Sequence, residues 1–468
     1  MKKKLLSVLL SVAMVATMLA GCGAKEEAAA PAEEAAVEEA APAEDAAAEE
    51  APAEDAAAPA AEDAFYIYSW NTEVGDRLRD YVYTVYPEMA DRVVYVNVGD
   101  SAVYQEKIDA LLATPDAEDY PDIIAAEAAY IMKYTNSDYT LPVTDLGLTD
   151  ADLAEMYPYT IQIATDQRDG SLKGVSWQAC PGSYMYRRSL AEKYLGTSDP
   201  AEVQEYVKDW DTFIETAKLI NEKSNGETKI LSSNDDIQNV FYSNKSEPWV
   251  NADKQFVYDP SFDKMMDVYY ELEQNDLTCK TTCWSEEWNA GPSTDSVFSY
   301  FGCTWFLHWT IKANCGGEKV GEGTYGDWAM CAGPQDYYWG GTWLCATKDC
   351  SDKELAGQIM KTLCCDTENL TKLAEGTLDY VNNKTAMKTL SDAGKGAYEF
   401  LGGQDFIAVF SPLAENVDVS WMSPYDQKVN EQIVSQAQSY AKGEKDKETA
   451  VADFKKAVAD MYPDITVE

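Results

Sequence analysis

All of the 12 Trp, 30 Tyr and 12 Phe residues of this 468-residue chain lie after residue 64, and this distribution limits where a folded core can form. Residues 23–64 repeat Ala, Glu and Pro, and they carry one Lys against fourteen acidic side chains. A segment of this composition cannot bury enough apolar surface to offset the entropy lost on ordering. We therefore expect a disordered acidic linker over 23–64 and a folded part over 65–468, which is long enough to favour two domains over one.

The first 22 residues have the composition of an export signal. Three lysines at 2–4 precede an uncharged, mostly apolar run over 5–20, which is shorter than the ~20 residues needed to span a membrane. The run ends in Leu19-Ala20-Gly21-Cys22, which resembles the lipobox of bacterial lipoproteins. The resemblance implies that 1–22 is a lipoprotein signal peptide and that Cys22 is acylated, which would anchor the protein at the outer face of the cytoplasmic membrane. A short membrane anchor is the alternative interpretation of this run.

Charge and histidine content exclude several classes of function. The formal net charge is −44, whereas binding to nucleic acid or to anionic lipid needs a basic surface. The single histidine, His308, excludes a His-rich metal site and limits any histidine-based catalysis to that one residue. We therefore expect no nucleic-acid partner, no metal and no cofactor. Ten cysteines follow Cys22 in the sequence, and their spacing leaves both disulfides and buried free thiols open.

Alternating strand and helix patterns open the folded part. Buried strand patterns over 65–70, 92–98 and 121–127 are separated by helical patterns over 77–86 and 104–112, which is typical of a parallel, doubly wound α/β sheet. Ligands bind beyond the carboxyl ends of the strands in such a sheet. No second linker separates the later elements, so a second domain must be interleaved with the first. The later predicted elements are strands over 174–177 and 343–347, helices over 188–194, 209–221, 262–273, 425–442 and 447–461, and a capping box over Ser351–Glu354.

Several short motifs follow one another along the folded part. They are Pro121-Asp122-Ile123-Ile124, Tyr157-Pro158-Tyr159, Gly174-Val175-Ser176-Trp177, Tyr186-Arg187-Arg188-Ser189-Leu190, Gly340-Gly341-Thr342-Trp343 and Lys353-Glu354-Leu355-Ala356. In this order they resemble the maltose-binding-protein-like family of bacterial extracellular solute-binding proteins, family 1, and the resemblance covers about 65–468.

The resemblance implies a two-lobed, periplasmic-binding-protein-like α/β fold of class II. Each lobe would be a mostly parallel doubly wound sheet flanked by helices, with the ligand in the cleft between the lobes. Lobe one would comprise 65–175 and 328–375, and lobe two would comprise 176–327 and 376–468. The resemblance also implies a carbohydrate ligand, an ABC permease as the partner and no catalytic activity, and we expect a monomer.

A sugar site needs aromatic rings for the C–H faces of the sugar, and carboxylates or amides for its hydroxyl groups. Residues of both kinds lie at predicted strand ends and crossovers, and Asn71 and Glu73 match the family's strand-one loop. The expected ligand-binding residues are Trp70, Asn71, Glu73, Glu127, Trp177, Tyr184, Trp305, Trp339 and Tyr425.

Four other aromatic side chains and two alanines also bear on the site. We interpret His308 and Trp309 as packing residues. Trp284 and Trp288 are spaced i, i+4, which predicts a shared helix face and fits a surface feature as well as a subsite. Ala125 and Ala126 occupy the positions where the family's type protein has an aromatic platform, which leaves a ligand other than a maltodextrin open.

Two other classes of function stay open. The same fold can hold a peptide, a metal or a polyamine, and acidic and aromatic side chains suit a cation. An extracellular glycoside hydrolase would need two carboxylates about 5–9 Å apart, and no local motif singles out such a pair. Binding of neutral sugars favours the transport function, whereas release of reducing ends from glycans favours the hydrolase.

Overall fold

A computed structural model describes residues 63–467. The predicted signal peptide, the proposed acylation site at Cys22 and residues 23–62 of the predicted linker lie outside this range. The described residues all belong to one compact unit. Within them, no helix combines the length and the apolar character that crossing a membrane requires.

The strands are short. They are β1 (Phe65–Ser69), β2 (Val93–Asn97), β3 (Ile123–Glu127), β4 (Val175–Ser176), β5 (Ser183–Arg187), β6 (Ser299–Gly302), β7 (Trp328–Cys331), β8 (Thr342–Ala346), β9 (Ala397–Tyr398) and β10 (Gln404–Asp405).

Helices fill most of the remaining chain. The α-helices are α1 (Glu73–Arg77), α2 (Ser101–Leu112), α3 (Ile131–Thr135), α4 (Asp150–Leu153), α5 (Pro158–Ile163), α6 (Arg188–Leu195), α7 (Pro200–Tyr206), α8 (Trp210–Lys223), α9 (Gln238–Tyr242), α10 (Ser261–Gln274), α11 (Glu286–Ala290), α12 (Thr304–Phe306), α13 (Lys353–Cys364), α14 (Thr367–Thr377), α15 (Lys384–Asp392), α16 (Phe406–Asn416), α17 (Asp426–Ala441) and α18 (Lys447–Met461). π-Helical turns continue α1 and α12 over Leu78–Val82 and Leu307–Lys312. Short 3-10 helices lie over Pro87–Asp91, Val143–Leu146, Asn234–Ile237, Gly291–Ser293 and Glu399–Leu401.

The strands form two main sheets. The first sheet has the order β2-β1-β3-β8-β4, in which β1 is parallel to β2 and β3, whereas β8 is antiparallel to both of its neighbours. The second sheet has the order β6-β5-β7, and both of its pairs are antiparallel. β9 and β10 form a separate antiparallel pair.

The predicted strands at the opening of the fold are confirmed, since β1, β2 and β3 lie inside the predicted strand ranges and β1 pairs in parallel with both others. The helix predicted over 77–86 instead begins at Glu73, and its π-helical turn ends at Val82. The second sheet differs from the expectation of mostly parallel strands, because its parallel pairing is limited to isolated bridges such as Lys229 with Val297. Burial patterns report which residues face the core and not the direction of a strand, so this difference was invisible in the sequence. β7 also lies in the second sheet, although the predicted second segment of lobe one begins at residue 328.

The start of α13 corrects a second prediction. Asp352, and not Ser351, caps this helix, because its carboxylate accepts a hydrogen bond from the Leu355 amide at 3.0 Å. The Ser351 hydroxyl instead donates to Asp122 Oδ1 at 2.6 Å. Asp122 also accepts a hydrogen bond from the Tyr66 amide at 2.7 Å, so it joins the start of β3 to β1 and to the loop before α13.

The second sheet is buried on both faces. Tyr184, Tyr186 and Phe301 belong to a core that includes residues of α8 and α10, whereas Met185 and Tyr300 belong to a core that includes residues of the first sheet. Successive residues of a strand point to opposite faces, so the sheet is enclosed by two apolar layers. Burial of both faces explains why strands of only four residues, such as β6 and β7, are stable in this sheet.

The chain passes twice between the two sheets. The first crossover (177–182) leads from β4 to β5, and the second crossover (332–341) leads from β7 to β8. The two crossovers run antiparallel to each other: the Gly182 amide donates to the Tyr337 carbonyl at 2.8 Å, and the Trp339 amide donates to the Cys180 carbonyl at 3.1 Å. Side chains near these crossovers therefore lie between the sheets.

Candidate functional site

Three partly exposed tryptophans, Trp284, Trp305 and Trp339, lie together, and we call them the indole cluster. The ring centroids of Trp305 and Trp339 are 4.9 Å apart, and those of Trp284 and Trp305 are 6.3 Å apart with the planes 21° from parallel. The Trp305 indole N–H donates to the Trp339 carbonyl at 3.1 Å. The buried Phe306 packs against the cluster, with its ring centroid 5.1 Å from that of Trp339. The cluster offers flat apolar surface, which suits the C–H face of a sugar.

Each tryptophan of the cluster comes from a different part of the chain. Trp305 lies in α12 directly after β6, and Trp339 lies in the second crossover. Trp284 precedes α11 with a φ of 68°, in the left-handed region. The helix begins only at Glu286, so Trp284 and Trp288 do not share a helix face as predicted, although their ring centroids are 4.9 Å apart.

A buried carboxylate, that of Asp236, fixes the position of Trp288, whose ring packs against Trp284 of the cluster. The Trp288 indole N–H donates to Asp236 Oδ1 at 2.8 Å, and the Ser233 amide donates to Asp236 Oδ2 at 2.9 Å. Burial raises the pKa of Asp236 to about 7, although these hydrogen bonds oppose the rise. Trp288 is therefore held at its polar edge while its ring packs against Trp284.

Glu127, at the end of β3, lies next to the indole cluster. Its Oε2 atom accepts a hydrogen bond from the Ala129 amide at 2.6 Å. A Cβ atom added to Gly340 would lie 3.3 Å from Glu127 Oε1 and 3.0 Å from Trp305 Nε1, and the φ of Gly340 is 70°. Both the close approach and the left-handed backbone favour glycine here. The structure thus brings together Glu127, Trp305 and Trp339, three of the predicted site residues.

Asn71 and Glu73 follow β1, as predicted, and Glu73 is the first residue of α1, where it belongs to a larger network. Asn71 Oδ1 accepts a hydrogen bond from the Glu73 amide at 2.9 Å. Glu73 Oε1 accepts from Arg77 Nη2 and from Gln178 Nε2, each at 3.0 Å. Arg77 Nη2 also donates to Asp379 Oδ2 at 2.9 Å. Burial raises the pKa of Glu73 to about 7, and the charge of Arg77 opposes the rise.

A cavity of about 300 Å³ lies beyond β3. Its walls come from Tyr130 and Lys133 on one side and from the start of α17 and Tyr462 on the other. Trp70, which is buried, packs edge-on against Tyr130 with the ring centroids 6.0 Å apart. Tyr425 packs edge-on against Tyr462 at 5.0 Å, and its hydroxyl accepts a hydrogen bond from Lys254 at 2.9 Å. Trp70 and Tyr425 thus do not line the cavity themselves, but each packs against a tyrosine that does.

Trp177 and Tyr184 are fully buried. Trp177 lies at the start of the first crossover, and its carbonyl accepts a hydrogen bond from the Asn382 amide at 2.7 Å. Tyr184 packs against Phe301 with the ring centroids 5.2 Å apart. Neither ring presents a surface to solvent, so the structure places both predicted ligand residues in packing positions.

The interpretation of the His308–Trp309 pair is half correct. His308 Nε2 lies 3.1 Å from the Leu378 carbonyl oxygen, and burial lowers the pKa of His308 to about 4, as expected for a neutral packing residue. Trp309 is 63 % exposed and does not pack. The two residues are consecutive in the π-helical turn after α12, so they point in different directions.

The described residues contain ten cysteines, Cys180 to Cys365, and all ten are free thiols. The alternative of disulfides, which the sequence left open, is not realised in this structure. Within the same residues, no group of three or more His, Cys, Asp or Glu side chains is arranged to hold a metal ion.

Three side chains of the site were missed as candidates. Arg77 and Gln178 contact Glu73, and Trp284 completes the indole cluster. The i, i+4 tryptophan pair was a visible signal for Trp284. The i, i+4 spacing of Glu73 and Arg77 was a local signal for their ion pair. Gln178 carried no such signal, because its contact with Glu73 joins parts of the chain 105 residues apart.

Comparisons with known proteins identify the family and the fold of this chain. The family described as bacterial extracellular solute-binding protein matches residues 86–399. Among curated proteins nothing matches. A solved extracellular solute-binding protein of family 1 is 17 % identical, with 85 % of this chain and 98 % of that chain covered and a TM-score of 0.71. The sugar-binding protein MalE of Xanthomonas citri is 15 % identical over 86 % of this chain and 98 % of its own, with a TM-score of 0.67.

A third solved structure carries a ligand. It is the ABC-transporter-associated binding protein of B. animalis subsp. lactis Bl-04 in complex with β-1,6-galactobiose, and it is 16 % identical over 86 % of this chain and 98 % of its own, with a TM-score of 0.66. At these identities the three structures show the fold, which is the mixed α/β fold of periplasmic solute-binding proteins.

Proposed function

The chain belongs to the bacterial extracellular solute-binding protein family, and from this premise we propose that it captures a sugar or oligosaccharide and delivers it to an ABC permease. Proteins of this family act outside the cytoplasm and are non-catalytic. The hydrolase alternative is therefore excluded, and the question becomes which solute the protein binds.

The observation that carries the sugar proposal is the indole cluster beside Glu127. The ring centroids of the three partly exposed indoles lie within 7 Å of one another, and the Glu127 carboxylate and the Trp305 indole both lie beside Gly340. A sugar has both an apolar C–H face and hydroxyl groups, so it matches an aromatic surface with a carboxylate at its edge. The structural neighbour that holds β-1,6-galactobiose supports the same class of ligand.

The charges near the site favour a neutral ligand over an anionic one. Arg77 is neutralised by Glu73 and Asp379 at 3.0 and 2.9 Å, and Glu127 adds a further carboxylate. An acidic sugar would bring a negative charge toward these carboxylates without a free cation to receive it among the residues of this network. The same charges suit a polyamine, which is the second candidate ligand.

The proposed cleft lies between two lobes that contain the two sheets. We propose that one lobe comprises 65–175 with 328–375 and that the other comprises 176–327 with 376–468. One boundary needs adjustment: β7 pairs with β5 and so belongs to the second lobe, and the chain returns to the first lobe in the second crossover. Trp305 of the indole cluster comes from the predicted second lobe, and Glu127, which lies beside the cluster, comes from the predicted first lobe. Such an arrangement supports closure of the lobes around a ligand.

Isothermal titration tests the ligand class directly. The panel should hold neutral mono- and disaccharides, including maltose and β-1,6-galactobiose, together with a uronic acid and spermidine. We expect a neutral sugar to bind and to change tryptophan fluorescence. Binding of spermidine alone would favour the second candidate, and binding of no sugar would refute the carbohydrate proposal.

Two matched tryptophan variants localise the site. Trp305→Ala removes an indole of the cluster and should weaken sugar binding by about 2 kcal/mol, or about 30-fold, as for a central aromatic contact. Trp309→Ala removes an indole four residues away that is 63 % exposed and outside the cluster, so it should leave affinity unchanged. Equal effects of the two variants would contradict the placement of the site.

We further propose that the mature protein is lipid-anchored through Cys22 at the outer face of the cytoplasmic membrane and is monomeric. The lipobox-like Leu19-Ala20-Gly21-Cys22 supports the anchor. In cells, a labelled fatty acid should be incorporated into the wild type and not into Cys22→Ser. Equal incorporation into both proteins, or no incorporation into the wild type, would refute the anchor without affecting the ligand proposal.

A further inference from the structure

Gln178 connects the carboxylate of Glu73 to both crossovers. It lies in the first crossover and is 3 % exposed. Its Nε2 atom donates to Glu73 Oε1 at 3.0 Å, and its Oε1 atom accepts a hydrogen bond from the Thr342 amide at 3.1 Å. Thr342 is the first residue of β8, where the second crossover ends. One side chain therefore joins the start of α1, the first crossover and the end of the second crossover.

The two contacts fix the orientation of the Gln178 amide. The backbone N–H of Thr342 can only donate, so it must face the oxygen of the amide. The ionised carboxylate of Glu73 can only accept, so it must face the NH₂ group. No other uncharged side chain of this length can satisfy both partners, because one end must accept and the other must donate.

We propose that Gln178 is a positioning residue, which holds the Glu73 carboxylate in the orientation used for the ligand and ties it to the crossovers about which the lobes would close. The proposal rests on the proposed function for its link to the ligand, and on the contacts alone for its link to Glu73. Arg77 cannot replace Gln178 in this role, because it binds Glu73 from α1 and makes no contact with the crossovers among its hydrogen bonds in the described residues.

The first test is a double-mutant cycle on stability without ligand at pH 8. Gln178→Glu keeps the shape of the side chain but places two carboxylates at hydrogen-bond distance, so the melting temperature should fall by several degrees. Adding Glu73→Gln restores an amide–carboxylate pair, in which position 73 now carries the amide donor and position 178 carries the carboxylate acceptor. We expect Glu73→Gln to raise the melting temperature more in the Gln178→Glu background than in the wild type.

The chain offers a matched control in Gln404, which also bonds through both ends of its amide. Gln404 Nε2 donates to the Met330 carbonyl at 2.7 Å, and its Oε1 accepts from the Met330 amide at 2.9 Å. Gln404→Glu should lower the melting temperature as well, but the effect of Glu73→Gln should be the same in this background as in the wild type. Equal effects of Glu73→Gln in all three backgrounds would overturn the proposal.

The second test uses pH and sugar affinity. The titratable groups that face Glu73 are Asp76 and Arg77 on α1, Tyr95 on β2, Cys180 in the first crossover and Asp379 after α14. In the Gln178→Glu variant, one proton shared by the two carboxyl groups restores a donor toward Glu73, and this proton binds more readily at pH 5.5 than at pH 8. At pH 8, the variant should therefore bind maltose or β-1,6-galactobiose about tenfold or more weakly than the wild type does, and at pH 5.5 the difference between the two proteins should be smaller.

The two tests fail separately. If the wild type binds neither sugar, the proposed function is refuted for these ligands, and the stability cycle still decides whether Gln178 holds Glu73. If the wild type binds but Gln178→Glu and Gln404→Glu lower affinity equally at both pH values, the positioning role is refuted while the sugar proposal stands.

Discussion

Lys245 and Asp426 form a buried ion pair beside the segment that leads into α17, and we expect Lys245→Met to lower the free energy of unfolding by about 3 kcal/mol. Lys245 Nζ lies 2.8 Å from Asp426 Oδ1, and the two side chains are 0 % and 5 % exposed. The same Nζ lies 4.9 Å and 4.7 Å from the ring centroids of Trp249 and Trp421. Removing the cation leaves the buried Asp426 carboxyl group without its ion-pair partner.

The magnitude follows from what remains after the substitution. Breaking a buried pair from one side costs about 3–5 kcal/mol, because the other charge stays without compensation. Asp426 keeps hydrogen bonds from the Ser423 amide at 3.1 Å and the Ser423 hydroxyl at 2.8 Å, which places the cost at the lower end of that range. Asp426→Asn in addition to Lys245→Met removes the orphan charge, so the double variant should recover at least half of the loss.

Guanidinium unfolding followed by circular dichroism measures these differences. Lys218→Met is the matched control, because Lys218 Nζ lies 2.6 Å from Glu271 Oε2 but the side chains are 46 % and 41 % exposed. An exposed pair contributes ~1 kcal/mol or less. Equal costs for Lys245→Met and Lys218→Met, or no recovery in the double variant, would refute the claim that burial of the charge decides the effect.

Three further predictions concern pH and backbone conformation. Burial raises the pKa of Glu73 from 4.5 to about 7, so the stability of the wild type falls as pH rises through this window. Glu73→Gln removes this dependence. In urea unfolding, the stability of the variant relative to the wild type should therefore be greater at pH 8 than at pH 5, by up to about 3 kcal/mol. Burial lowers the pKa of His308 from 6.5 to about 4, so stability falls as pH drops through this window; His308→Gln should remove up to about 3 kcal/mol of this acid sensitivity in the same assay. Gly340→Ala should cost at least ~1 kcal/mol for its left-handed backbone, and it should shift tryptophan emission because a Cβ atom would press on Trp305.

The sequence was most informative where the determinants of structure are local. α18 spans the predicted 447–461, and α17 differs from its predicted range by one residue at each end, because apolar spacing and end signals lie within the helix itself. The membership of β7 in the second sheet was not predictable in this way, since its four residues pair with a strand more than 140 residues earlier. The antiparallel direction of β8 likewise depends on the path of the second crossover and not on its own residues.

The same distinction separates the two carboxylates of the site. Glu127 is oriented in part by the amide of Ala129, two residues along the chain, so its place at the end of β3 was enough to predict its position. Glu73 is oriented by Gln178, which lies 105 residues away, and Gln178 is itself held by Thr342 at a separation of 164 residues. Glu73 is also bound within α1 by Arg77 at 3.0 Å, so its position depends on its own helix and, through Gln178, on the crossovers.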